Sequence, residues 1–247
     1  MDKPIYRYLA DKKWREMRRK LVMQRITQMG VIPDVLPHID PVAAVDIRFG
    51  RRKIQPGVFV QSLVSAIPPT LAIQVFDRGE RLVTVVAIDS DVPNTEKDGF
   101  DYRCHGIWAN IPIDPTGSIV PLNGMEKEQI IMPWMPPFAQ KGSPYHRVSF
   151  FVLQQVPLAE GNGTLDTQPL TQRFQRDGFI LRSFLARCEI DQRIKMKPVG
   201  INMFRTKWDD DTEDLMKRHD IPGWDVEYKR QRIQKLPYFK KDGERYR

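Results

Sequence analysis

Only two cysteines, Cys104 and Cys188, occur in 247 residues. That excludes a disulfide framework, and with no partner ligand at zinc-finger or zinc-ribbon spacing it excludes those metal sites too. Both thiols are expected to be reduced. No apolar run approaches the roughly 20 residues a helix needs to cross a bilayer. The opening Met1-Asp2-Lys3-Pro4 has neither the apolar region of a secretory signal nor the Ser/Arg-rich, acid-free character of a transit segment. An organellar leader, if there is one, is expected to be removed or to lie outside this sequence. The chain is also short of acid, with 31 Asp plus Glu against 39 Lys plus Arg and a formal charge of +8. Such a balance is unusual for a small-molecule binder and ordinary for a protein resting on a polyanion.

What is present is a core-forming chain, 41% hydrophobic, with three changes of pattern. From Tyr6 to Met29 the spacing predicts a helix ending at Gly30, with Trp14, Met17 and Leu21 as the packing stripe and Arg15, Arg18 and Arg25 on another side. Pro33, Pro37 and Pro41 then predict an extended connector lying along a surface. Strand patterns follow. Val45, Ile47 and Phe49 alternate with polar residues, as do Leu71, Ile73 and Val75, and Leu82 to Ile88 reads as a strand buried on both faces. Asp77-Arg78-Gly79-Glu80 is a turn, and Ile107 to Ile111 and Val148 to Leu153 are further strands. Thr171 to Cys188 has helical spacing, with Phe174, Ile180, Leu181 and Phe184 apolar.

After Trp208 the chain is acidic, through Asp209, Asp210, Asp211, Glu213 and Asp214, and then basic and aromatic to its end. Pro222 and Pro237 prevent a continuous helix, and the aliphatic surface is too small for a separate core. An arm ordered by a partner is expected, its cations meeting phosphates and its aromatics meeting bases or protein pockets. The expected organisation is a basic helix and Pro-rich connector over 1–41, a β-rich domain over 42–215 and an extended arm over 216–247.

Two stretches carry the chemistry. Asp89-Ser90-Asp91-Val92-Pro93 runs on to Cys104-His105, and Pro136-Pro137 runs on to Tyr145-His146-Arg147. An acidic side chain orienting one imidazole while a second imidazole donates can hold a phosphate-like group, so Asp89, His105 and His146 are the candidate anion site. Cys104 beside His105 superficially offers a thiol and a base, but neighbours on a strand point to opposite faces, so no catalytic residue is assigned. The remaining histidines, His38 and His219, fall in the connector and the tail, so neither a metal nor a cofactor is expected.

The spacing of these stretches, with the strand reaching Asn110, resembles the phosphatidylethanolamine-binding protein family. The resemblance implies a β-rich α+β fold: an antiparallel sheet core with flanking helices, to which an N-terminal helical arm and a C-terminal extended arm are added. It also implies a pocket that this chain departs from. Ser90 and Val92 replace the family's Pro and Ala, Cys104 replaces a histidine, Val148 stands where a tyrosine is usual, and Pro133, Trp134 and Met135 occupy the place of a leading G-x-G. The fold is therefore expected to be kept and the pocket narrowed or lost.

Further stretches are similar to a fungal-type mitochondrial large-ribosomal-subunit member of that family. They are Lys3 to Leu9 with Trp14, Ile32 to Pro37, Phe76 to Val85, Gln140 to Arg147, and Phe204 to Trp208. This similarity implies a structural, non-enzymatic component near the central protuberance, in the mitochondrial matrix, with ribosomal RNA and large-subunit proteins as partners and no free homo-oligomer. Arg15, Arg18, Arg19, Lys20 and Arg25, with Arg230, Arg232, Lys240 and Lys241, are the residues expected to contact RNA or acidic partners. The competing readings are a phospholipid- or phosphate-binding protein using the anion site, and a protease or kinase inhibitor using the loop Phe138 to Pro144.

Overall fold

A computed structural model describes residues 3–158 and 163–229. Arg230, Arg232, Lys240 and Lys241, with most of the basic, aromatic arm, lie outside the described residues.

Two antiparallel sheets and a helical layer form three strata. The smaller sheet has the order β2-β1-β3-β6, from β1 (Ala44–Phe49), β2 (Arg52–Ile54), β3 (Thr70–Gln74) and β6 (Ser118–Pro121). The larger runs β7-β5-β4-β8-β9, from β4 (Arg81–Asn94), β5 (Gly99–Ile113), β7 (Ile130–Met132), β8 (His146–Pro157) and β9 (Ile194–Thr206). Central strand β4 is buried on both faces, as its nearly continuous apolar run requires. Val83, Val85 and Ala87 join the core between the sheets, while Val86 and Ile88 join the core beneath the helices. Neighbours Phe150 and Phe151 on β8 divide in the same way, each contributing about 2 kcal/mol by leaving water. Gly106 is required by close approach, since a Cβ there would lie 2.4 Å from the Trp108 ring.

The second core is roofed by α5 (Thr167–Arg173), α6 (Leu181–Gln192) and the N-terminal segment. Thr171 to Cys188 is thus two helices. The chain between them turns at Gly178, φ +69°, and Ile180 precedes α6 as an exposed residue. Strand β9 has no counterpart among the expected elements, because Pro198 and Gly200 interrupt the alternation that Ile194 to Lys197 begins. Two short helices, α4 (Ser62–Ser65) and α7 (Thr212–Arg218), lie beside β9 and pack on each other.

The N-terminal helix corrects the expected stripe. It runs through α1 (Pro4–Lys13), a π turn (Trp14–Arg18) and α2 (Arg19–Gln28). Trp14 is buried, but Met17 and Leu21 are exposed, and Val22, Met23 and Ile26 face the core instead. The wider turn inserts one residue into the helical register, so after Trp14 the inward-facing positions are 22, 23 and 26 rather than 17 and 21. Gly30 ends the helix at φ +68°, where a glycine meets no Cβ penalty. The connector is also corrected. Around a short turn, α3 (Val31–Asp34), the residues Val31, Val35, Leu36 and Ile39 are all buried in the core under the helices. Enough apolar side chains stand between the prolines to make it a core element rather than a surface strap.

Candidate functional site

Strands β4 and β8 pair with Asp89 opposite Val148, which sets Asp89 beside His146 at the start of β8. The His146 Nδ1–H donates to Asp89 Oδ2 at 2.6 Å, and the other carboxylate oxygen accepts the Asp91 N–H at 2.9 Å. His105 reaches the same carboxylate from β5 through a bulge. Ala87 pairs with Gly106 and Ile88 with Cys104, so His105 is the extra residue and is aimed into the site. Its Nε2 lies 3.8 Å from Asp89 Oδ2, while Nδ1–H donates to the Met135 carbonyl at 2.8 Å. The structure therefore brings the three expected anion-site residues together. All three are buried, and His105 Nε2 has no hydrogen-bond partner among the described residues. Burial by itself would raise the Asp89 pKa, but the adjacent imidazoles outweigh it and hold the carboxylate well below its ordinary 3.8.

The mouth of this site is filled by the residues that replace the family's leading glycines. Met135 N–H donates to the His105 carbonyl at 2.8 Å, adding a second bond between these residues. The Trp134 ring stands 6.1 Å from His105, 6.0 Å from Trp108 and 6.1 Å from Phe150, and its Nε1–H donates to the Ser65 carbonyl of α4. Arg176 locks the arrangement from outside, donating to the carbonyls of Cys104, His105 and Pro133. Cys104 points the other way, into the core under the helices, where burial pushes its thiol up to about 12. It stays protonated at neutral pH, so it cannot serve as a nucleophile for His105.

The loop Phe138 to Pro144 is engaged with its own chain. Phe138 packs with Met216 of α7 and Ile221, Ser143 Oγ lies 3.3 Å from His146 Nε2, and Tyr228 N–H donates to the Lys141 carbonyl.

One pair of residues escaped the sequence reading. Asp91 and Arg147 form a side-on ion pair: Arg147 Nε and Nη2 donate at 2.8 and 2.7 Å, and its backbone N–H adds a third bond. The remaining Nη1 donates to the Met29 carbonyl at 2.6 Å and to Asp34 Oδ2 at 2.9 Å. Tyr102 donates to the Asp34 carbonyl from β5. The rim of the pocket thus clamps the end of the N-terminal helix. A signal existed: once Asp89 meets His146 on antiparallel neighbours, Asp91 and Arg147 fall at the next positions.

Of the basic residues singled out on that helix, Arg18 pairs with Asp46 of β1, Arg19 with Asp40 of the connector, and Arg15 with Asp11 on its own helix. Lys20 and Arg25 are exposed and pair with no carboxylate among the described residues.

Comparison with known proteins agrees with this geometry. The chain is 27% identical over 238 residues to the large ribosomal subunit protein mL38 of Schizosaccharomyces pombe, covering 95% of this chain and 71% of the relative. Among solved structures it shares its fold with a phosphatidylethanolamine-binding protein from Plasmodium vivax, at TM-score 0.53 and 17% identity over 76% of this chain and 98% of the other. It likewise shares the fold of a carboxypeptidase Y inhibitor solved with its cognate proteinase, at TM-score 0.55 and 15% identity over 77% and 97% of the two chains. The model of the phosphatidylethanolamine-binding protein family matches residues 46–196, which take in Asp89, His105 and His146, and the chain belongs to that family.

Proposed function

We propose that the chain is a structural component of the large subunit of the mitochondrial ribosome, in the matrix, acting as a scaffold rather than an enzyme. The observation that carries this reading is the extent of its similarity to mL38, which covers 95% of the chain and so runs beyond residues 46–196 into both flanking segments. Family membership alone would account only for the middle.

The geometry supports the same reading. The anion site is closed by Trp134 and Met135, and its rim pair, Asp91 and Arg147, is spent on holding the N-terminal helix. In this view the domain, with Val31 to Ile39 and α7 packed into it, is a rigid spacer, while the N-terminal helix and the arm beyond Ile221 grip ribosomal RNA and neighbouring proteins near the central protuberance. Arg18 and Arg19 tie the helix to the domain, and Arg15, Lys20 and Arg25, with Arg230, Arg232, Lys240 and Lys241, meet phosphates or acidic partners. No helix among the described residues is long and apolar enough to cross a membrane.

Phosphate contacts release counterions, so attachment weakens with salt by a log–log slope of about 0.7 to 0.9 per contact. Replacing the basic residues of both arms by Gln, with Arg18 and Arg19 kept, is expected to flatten that slope and to release the protein from particles at moderate salt. The unfolding midpoint of the free protein should not move. Sedimentation at graded salt measures this, and retention equal to the unaltered chain would refute the scaffold reading.

A further inference from the structure

The segment from Val58 to Ile67 has its polarity inside out. In α4, Ser62 and Ser65 are fully buried, whereas Leu63, Val64 and Ile67 are exposed, and Val58, Phe59 and Tyr145 extend the same surface. These six apolar side chains are between 38% and 62% exposed. An ordinary surface turn places its serines outward and its leucine inward.

The inversion is fixed by hydrogen bonds rather than by fraying. Ser62 N–H donates to Asp209 Oδ2 at 2.8 Å, and Ser62 Oγ lies 2.8 Å from Thr212 Oγ1. Residues 57–60 pair with the free edge of β9, through Arg205 N–H to the Val58 carbonyl and Val60 N–H to the Arg205 carbonyl. Trp134 supports α4 from below through the Ser65 carbonyl. A rigid, preorganised apolar ridge loses little entropy on being covered.

Two cations border it. The Arg205 guanidinium lies 4.0 Å from the Phe59 ring centroid and 4.9 Å from that of Tyr145, and Lys207 Nζ lies 5.6 Å from Phe59. Arg205 is further held by its bond to the Gly57 carbonyl, while Lys207 stands exposed at the rim. The Phe59 and Tyr145 rings are engaged edge to face with each other at 5.8 Å and covered by Arg205, and the aliphatic Leu63, Val64 and Ile67 offer no face on which a nucleobase stacks, so RNA fits the ridge poorly. A protein segment whose apolar residues are bracketed by carboxylates fits both the patch and its charged border.

We propose that the ridge formed by Val58, Phe59, Leu63, Val64, Ile67 and Tyr145 docks a neighbouring protein through an apolar segment flanked by Asp or Glu. Docking at this ridge rests on the scaffold reading only for where the partner is met.

The test places a photo-crosslinking side chain, Leu63→p-benzoylphenylalanine, in the full chain, irradiates intact cells and identifies what is joined to it. The expected result is an adduct with a different polypeptide at a peptide containing apolar and carboxylate residues. Its yield should fall about tenfold when Ile67→Asp is added, and the same probe at exposed Ile190 of α6 should give no such adduct. An adduct to RNA, to a second copy, to residues 230–247 of the same chain, or to a peptide without carboxylates overturns the proposal, as does no adduct. Sedimentation is read separately. A polypeptide adduct on a chain that does not travel with large subunits would sink the ribosomal reading and leave the ridge standing.

Discussion

Arg147→Ala is expected to destabilise the protein by about 3 kcal/mol, because it leaves the largely buried Asp91 carboxylate without its partner and frees the Met29 carbonyl and Asp34. Arg147 sits where burial opposes its charge, yet the carboxylates of Asp91 and Asp34 raise its pKa above the ordinary guanidinium value. The charge is therefore wanted there. The larger consequence is mechanical. The helix ending at Gly30 should detach from the rim, so that limited proteolysis cuts within residues 1–34 before the sheets unfold. Arg147→Lys keeps the charge but not the fork and should recover only part of the loss. Urea denaturation measures the first effect and the order of proteolytic cuts the second; an unchanged midpoint with an equally protected N-terminus would dismiss the clamp.

Asp89→Asn should cost a similar amount, about 3 kcal/mol near neutral pH, since the His146 Nδ1–H loses its charged acceptor at 2.6 Å and a buried amide faces His105 in place of the carboxylate. The pH dependence separates it from a simple packing defect. Asp89 has a folded pKa below its unfolded value, so between the two the unfolded chain binds the extra proton. Its contribution is fully present above about pH 4 and is lost as pH falls through the folded value. The unaltered protein should lose stability as it is acidified below about pH 4, and Asp89→Asn should show a shallower loss over that range. Parallel curves for the two proteins would mean that the carboxylate does not carry its charge in the fold.

The sequence made the architecture readable wherever a local pattern fixed the answer. The double-faced apolar run of β4, the alternation of β1 and β3, and the spacing from Asp89 to His105 and His146 all place residues correctly, because strand period and motif spacing are short-range properties. Failures came where distant segments decide. Nothing in residues 14–18 announces a π turn, which follows from docking Trp14 while Ile26 is also buried. Val31 to Ile39 looked like a surface strap because its prolines were legible and its destination under the helices was not. The Asp91–Arg147 clamp and the Arg176 contacts join residues far apart in the chain. The inverted polarity of α4 becomes visible only once Ser62 and Ser65 are known to face inward. The replaced glycines were readable as an obstruction, but only the structure placed the Trp134 ring against His105.

The most direct measurement is to sediment the full chain from detergent-lysed mitochondria and to assay the protein for a bound phosphorylated headgroup. The expected result is migration with large subunits, giving way progressively as salt is raised, and no headgroup at the buried Asp89, His105 and His146. A slowly sedimenting free monomer that carries a phosphorylated headgroup in that site would contradict it.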